Sequence, residues 1–136
     1  MIMSLPDKIN ILDTVFSQYI RLRYAYDNGS VECFTCSRQF RYNVIHNGHY
    51  VRRANMSLRF DIKNCFPQCY ECNVTKDGNE EEYRKRLLYT FGRVHVAYLD
   101  EKKNELKQWE EAELDLLIGY YRKEVKKLAK DKGIKI

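Results

Sequence analysis

Residues 31–76 read VECFTCSRQFRYNVIHNGHYVRRANMSLRFDIKNCFPQCYECNVTK, and this stretch decides the fold. It opens on one close cysteine pair, Cys33 and Cys36, and ends on another, Cys69 and Cys72. Each pair spans one tight turn, so its two sulfurs can face one ion. Two such pairs supply four soft thiolates, a donor set that suits tetrahedral zinc. Between the pairs lie His46, His49 and Asn64, and Asn73 directly follows the last cysteine. The polar residues held between the pairs are the expected place for chemistry.

Disulfides are the rival use of paired cysteines, and they belong to exported proteins. The count of five is odd, which leaves Cys65 over. The opening MIMSLPDKIN has no basic segment leading into an apolar one, and no apolar run approaches a membrane span. The expectation is therefore a cytoplasmic protein with structural zinc. Cys65 stands four residues from Cys69, a poorer chelating turn, and reads as a small buried apolar residue.

Working outward, 136 residues suffice for one domain, and 44% hydrophobic content indicates a folded chain. The formal charge is +5. From Arg21 to Arg59 the chain carries Arg23, Arg38, Arg41, Arg52 and Arg53 as well, against only Asp27 and Glu32. Positive charge thus surrounds the cysteine and histidine region, which points to a long anionic partner. The alternative is a solvated basic surface without a target. The eleven tyrosines and six phenylalanines add stacking capacity, though most should be core.

A helix is expected over 7–28, with Leu12, Val15, Phe16, Tyr19 and Ile20 at helical spacing. The region 31–78 should form the zinc-binding core, with strands between Arg38 and Ile62 joined by a hairpin connection at 53–57. A turn from Cys69 to Lys76 should run into a short helix. The region 79–136 reads as helical. Asn79 is the expected N-cap of a helix that Gly92 closes. A long helix over 106–130 should follow, with Leu106, Trp109, Leu117, Tyr120 and Leu128 along one stripe. Glu113 and Glu124 interrupt that stripe.

The order of zinc pair, strand with His49, strand, Asn64, zinc pair and Asn73 is a ββα-metal layout. The chain resembles HNH-type nucleases with an added four-cysteine site. More narrowly it resembles the NinG, or Rap, family of phage recombination endonucleases. The runs FSQYIRLR, CFTC, NGHY, LRFDIKN, QCYECN and KDGNEEEYRKRL carry the likeness over about residues 16–92. The fold class implied is α+β: a zinc-stapled, treble-clef or HNH-like core with flanking helices. The activity implied is metal-dependent cleavage of branched DNA, such as Holliday junctions or D-loops, in a bacterial host cell.

Carried over by position, the resemblance makes His49 the general base and Asn64 the residue that orients it. Asn73 becomes a ligand of a catalytic Mg²⁺ or Mn²⁺. Many HNH proteins carry an Asp or His ligand directly before the base, where this chain has Gly48. His46 is the nearest substitute, and a bulge at Gly48 would bring it to the side of His49. Asp61 and Asp77 are further candidate ligands. Arg52, Arg53 and Arg59 are candidates for DNA phosphates. His95 lies outside the motif.

The chemistry is consistent with these roles. A neutral imidazole can take a proton from water near neutral pH. A hard divalent cation stabilises charge developing on phosphate oxygens, which a zinc closed by four thiolates cannot do. Resolving a four-way junction takes two cuts, so a homodimer through the C-terminal helices is expected. The same apolar stripe could instead pack on the N-terminal helix within one chain. The rival function is a zinc-dependent DNA-binding module without catalysis, which would not require His49, Asn64 or Asn73.

Overall fold

The computed structural model describes residues 3–136. Its first helix, α1, spans Leu5–Arg23. Ser4 caps it, its hydroxyl accepting the Asp7 N–H at 3.2 Å. The expected helix to residue 28 stops at Arg23 because the next residues turn to extended pairing. Ala25 bridges to Val31, and the Tyr26 N–H donates to the Ser30 carbonyl at 2.9 Å.

Two short antiparallel pairs follow. Strand β1 (Ser30–Glu32) pairs with β2 (Gln39–Arg41), Val31 lying opposite Phe40. The first cysteine pair sits in the turn between them. The Cys33 N–H donates to the Arg38 carbonyl at 2.8 Å, and Ser37 takes a left-handed φ of 67°. Strand β3 (His46–His49) pairs with β4 (Cys65–Gln68), His46 lying opposite Gln68 and His49 opposite Cys65.

Of the strands expected between Arg38 and Ile62, β2 and β3 form, but none forms beyond residue 49 and residues 53–57 connect no hairpin. Residues 50–64 are one irregular loop between β3 and β4. Asn64 explains the difference. Fully buried, it accepts the Val51 N–H at 2.8 Å and donates to the Val51 and Leu58 carbonyls at 3.0 and 3.2 Å. One side chain thus satisfies backbone groups that a strand ladder would have used. Leu58 and Phe60 anchor the loop in the core.

The chain then makes a five-residue π-helical turn, Glu71–Thr75, and two helices, α2 (Glu80–Phe91) and α3 (Arg93–Lys102). Gly92 separates the two helices at a φ of 89°. Asn79 is not the expected side-chain cap. It sits in the left-handed region at φ 48°, and its amide donates to the Cys72 sulfur at 3.6 Å instead.

The last helix, α4, spans Glu111–Lys132, not 106–130. Glu110 and Glu113 form a capping box, the Glu113 carboxylate accepting the Glu110 N–H at 3.1 Å. That accounts for Glu113 interrupting an apolar stripe. Helix α4 lies parallel to α1. Lys8 pairs with Glu111 at 2.6 Å near both N-termini, and Lys132 donates to the Leu22, Arg23 and Ala25 carbonyls at 2.7, 2.9 and 2.7 Å near both C-termini. Parallel helix dipoles repel, and acids at the N-terminal ends with cations at the C-terminal ends offset this.

The face of α4 buried on α1 is Leu114, Ile118, Tyr121, Val125 and Ala129. The expected stripe therefore had the wrong phase. Leu106 precedes the helix and is fully exposed, while Trp109, Leu117 and Leu128 are half-buried against the same core as Tyr19 of α1, the within-chain alternative to a dimer. Of the apolar surface expected for a homodimer, Leu106 and the half-exposed Tyr120 stay open.

The fold is thus α+β, with β4 between two helical layers. Cys65 belongs to the α1–α4 core with Phe16, Leu114 and Ile118. Phe66, its neighbour, belongs to the α2–α3 core with Tyr83, Leu87 and Leu99. Among the described residues, no helix is long and apolar enough to cross a membrane.

Candidate metal centres and cavity

The β1–β2 turn and the π-helical turn bring Cys33, Cys36, Cys69 and Cys72 together, all four sulfurs within 4.8 Å of one another. A tetrahedron with Zn–S near 2.3 Å has sulfurs about 3.8 Å apart, and Cys36 and Cys69 sulfurs lie at 3.8 Å. Each sulfur also receives a hydrogen bond. The Cys69 N–H reaches Cys33 at 3.3 Å, Arg38 Nε reaches Cys36 at 3.4 Å, the Cys72 N–H reaches Cys69 at 3.5 Å, and Asn79 reaches Cys72. Such donors favour thiolates.

Burial opposes ionisation of Cys33, but hydrogen bonds from Thr35 and from the Cys69, Cys36 and Thr35 backbones bring it down to about 6. Burial and neighbouring sulfurs push Cys69 up to about 12. Four crowded sulfurs cannot all ionise alone, and a divalent cation removes that conflict. The four cysteines can hold a metal such as zinc. Cys65 stands apart, fully buried, with its thiol pushed well up by burial.

The second site is an open cavity of about 620 Å³. Asp13, Ser17 and Arg21 of α1 form one wall. The segment Asn43–Asn47, with His49, Tyr50, Arg52 and Arg53, forms another, and Asn73, Asp77, Gly78 and Glu80 close it. His46, His49 and Asn73, remote or separate in the sequence, thus share one cavity. Asn73 donates its amide to His46 Nδ1 at 3.1 Å. No bulge achieves this, since β3 and β4 pair one-to-one from His46 to His49. Both rings nonetheless line the same cavity.

A ligand side chain at Gly48 would have to displace Gln68. A Cβ on it would meet Gln68 Cδ and Cγ at 2.6 Å, and Oε1 closer still. Gln68 is fully buried, donating to Thr35 Oγ1 at 3.1 Å and to the Gly78 carbonyl at 2.9 Å. The Gly48 carbonyl accepts the buried Tyr83 hydroxyl at 2.7 Å.

His49 Nε2 lies 2.9 Å from the Arg59 carbonyl. A carbonyl can only accept, so Nε2 carries the proton and Nδ1 of the neutral ring keeps its lone pair. Burial lowers the His49 pKa below its ordinary value, outweighing the Arg59 hydrogen bond and the nearby Asp13 carboxylate. The ring is therefore neutral at pH 7, with Nδ1 open as an acceptor. Asn64 makes no hydrogen bond to the ring. Asn64 holds the loop that carries Arg59, and so acts on His49 through the backbone.

The other expected residues divide. Arg59 is committed inside the protein, paired bidentately with Asp13 and only 11% exposed in its side chain. Arg52 is exposed but pairs with Asp77 at 2.8 and 3.0 Å, which also occupies Asp77. Arg53 lines the cavity and has no carboxylate partner among the described residues. Asp61 lies off the cavity, accepting from Tyr98 and Lys102. His95 donates to the Lys63 carbonyl at 2.8 Å and stacks on Phe91. Among the described residues the four cysteines are the one cluster of three or more His, Cys, Asp or Glu ligands. The α1 wall was not read from the sequence. Its signal is Asp13, Ser17 and Arg21 at four-residue spacing, a polar row beside the apolar stripe.

A family model described as Bacteriophage Lambda NinG protein matches residues 3–131. Protein ninG of Salmonella phage P22 is 34% identical over 84 residues, covering 60% of this chain and 40% of the relative. Protein ninG of Escherichia phage 933W is 33% identical over 82 residues, and that of Escherichia phage lambda 32% over 82, with the same coverage. The matched part thus spans about two fifths of these relatives' length. No solved structure matches the chain. With the match running through both cysteine pairs, the cavity and both long helices, the chain belongs to the NinG family.

Proposed function

We propose that the protein is a metal-dependent endonuclease of HNH type that hydrolyses phosphodiester bonds in branched DNA in the cytoplasm of a bacterial host. One observation carries the catalytic part: a buried, neutral histidine whose tautomer is set by a backbone carbonyl, on the wall of a cavity that also holds His46 and Asn73. The β3–β4 pair followed by the π-helical turn is the ββα-metal layout of this reading. The branched substrate follows from the motif resemblance alone.

Zinc on the four cysteines would be structural, because a closed four-thiolate shell leaves no position for water or phosphate. His46 and Asn73 fit a second cation, with an imidazole nitrogen and an amide oxygen once the amide is turned. A divalent ion there would stabilise charge on the phosphate and on the departing oxygen. His49 Nδ1 accepts a proton from the attacking water, and burial keeps the ring unprotonated for that task. The Arg59 carbonyl holds the ring's orientation and favours the positive charge the ring gains. The Arg59–Asp13 pair and Asn64 fix that carbonyl. Arg53 is the wall cation free to meet a phosphate. Two chains acting on one junction would pair through the C-terminal helices where Leu106 and Tyr120 stay open, Leu117 and Leu128 being half-buried against α1.

The test is incubation with junction and linear DNA, with and without Mg²⁺ or Mn²⁺. Metal-dependent cutting that His49→Ala abolishes, with DNA binding kept, supports the proposal. DNA binding by wild type with no cutting under any divalent metal supports the binding-module reading instead.

A further inference from the structure

Helix α4 hides one face on α1 and presents the other to solvent. Its outer C-terminal half carries Arg122, Lys123, Lys126, Lys127 and Lys130, all exposed. The spacing places them in one stripe, about 12 Å from first to last at 1.5 Å rise per residue. Among the described residues, no carboxylate lies within ion-pair distance of any of the five. Elsewhere cations do find acids: Lys85 pairs with Glu81 and Glu82, Lys103 with Asp100 and Lys107 with Glu113. Five unpaired cations against Glu124 and Asp131 leave this half of α4 net positive, and a polyanion relieves their mutual repulsion.

The stripe is joined to the cavity. Past α4 the Lys135 carbonyl accepts the Tyr42 hydroxyl at 3.0 Å, and the Tyr42 carbonyl accepts Arg21 Nη1 at 2.8 Å. Arg21 and the adjoining Asn43 line the cavity. The C-terminal end of α4 is therefore tied to the cavity rim.

We propose that this stripe is a second DNA contact, gripping the phosphate backbone of the duplex arm that leads away from the strand in the cavity. The proposal rests on the nuclease reading only in taking DNA as the polyanion. About 12 Å of duplex axis carries roughly seven phosphate charges, enough to engage all five cations. No base edge is read by such a surface, so it adds affinity and orientation and not sequence preference.

The test uses the zinc-loaded full chain carrying Lys123→Gln, Lys126→Gln, Lys127→Gln and Lys130→Gln together, with helicity checked by circular dichroism. Anisotropy with labelled duplex and junction DNA is measured without added Mg²⁺ or Mn²⁺ across about 50 to 200 mM salt. The slope of log affinity against log salt should fall by roughly three to four, at ~0.9 per phosphate contact. Hydrolysis of bis(p-nitrophenyl) phosphate, too small to reach α4, should stay unchanged if the wild type performs it. Unaltered DNA affinity and slope in the variant would overturn the proposal and leave the nuclease reading standing. An α4-dependent wild type that never cuts DNA would uphold the proposal and sink the nuclease reading. Wild type that binds no DNA at all overturns both. Loss of binding to phosphatidylserine vesicles, with DNA binding intact, would assign the stripe to a membrane and overturn the DNA contact.

Discussion

Replacing Gly48 by alanine tests how the strand that carries His49 is packed. The glycine backbone is ordinary, so no conformational strain enters. The cost comes from space. An alanine Cβ would stand 2.6 Å from both Cδ and Cγ of Gln68. Gln68 cannot step aside freely, since its amide is held by Thr35 and by the Gly78 carbonyl in a fully buried setting. Overpacking of a core typically costs about 1–3 kcal/mol. Swinging Gln68 away would forfeit two hydrogen bonds at about 1 kcal/mol each and strand their buried partners. The two routes are alternatives, so Gly48→Ala should lose about 1–3 kcal/mol, a sizeable part of the ~5–15 kcal/mol that holds a domain of this size. Urea unfolding of the zinc-loaded protein measures it. The same substitution in a Gln68→Ala background should cost less than about 1 kcal/mol, because the obstructing atoms are gone. A loss below 1 kcal/mol in the wild-type background, or an equal loss in both, would refute the packing argument. It would also reopen position 48 to a ligand side chain.

Cys69→Ser should lower both zinc content and stability, while Cys65→Ser should leave zinc stoichiometry intact; elemental analysis and thermal melts check both. His49→Ala should slow cleavage by ~10²–10⁴ with fold retained, and rapid-quench assays read it. The His49 pKa is lowered on folding, so the folded state holds fewer protons than the unfolded one. Its contribution to stability is present above about pH 6.5 and is lost as pH falls through that value toward the folded pKa. Denaturant titrations from neutral to mildly acidic pH should show the wild type losing more than His49→Gln over that window. Lys132→Met removes the donor shared by three carbonyls at the end of α1 and should cost about 1–3 kcal/mol by the same assay.

The two cysteine pairs were legible because chelating turns are local: two residues between ligands set the geometry whatever surrounds them. The pairing of His46 with Asn73 was legible only as a list of candidates. What joins them is the β3–β4 register and the turn after β4, which are long-range facts. The loop 50–64 was misread as strands because Tyr50, Val51 and Phe60 favour strands by type. Asn64 overrides that preference by bonding across the loop, and a side chain's hydrogen-bond partners are not written in spacing. The phase of α4 failed for a similar reason. Glu113 reads as a flaw in an apolar stripe until the capping box shows that the helix starts at Glu111.

Arg59 shows why charge counts predict sites poorly. As one arginine in a basic run it resembled a phosphate ligand, yet it is buried against Asp13 and its carbonyl holds His49. Its contribution to a nuclease would be orientation and not DNA contact. Two substitutions separate those uses. Arg59→Gln breaks the pair with Asp13, a partly buried interaction whose loss leaves a carboxylate unpaired beside the imidazole. That carboxylate already favours the charged ring, and freed of its partner it favours it more. The acid limb of the pH–rate profile should then shift to higher pH, while the salt slope of DNA binding stays unchanged. Arg53→Gln should also shift the acid limb to higher pH, since the Arg53 charge disfavours the protonated ring, but it alone should reduce the salt slope by about one. A lowered salt slope with an unshifted acid limb in Arg59→Gln would return Arg59 to the DNA surface.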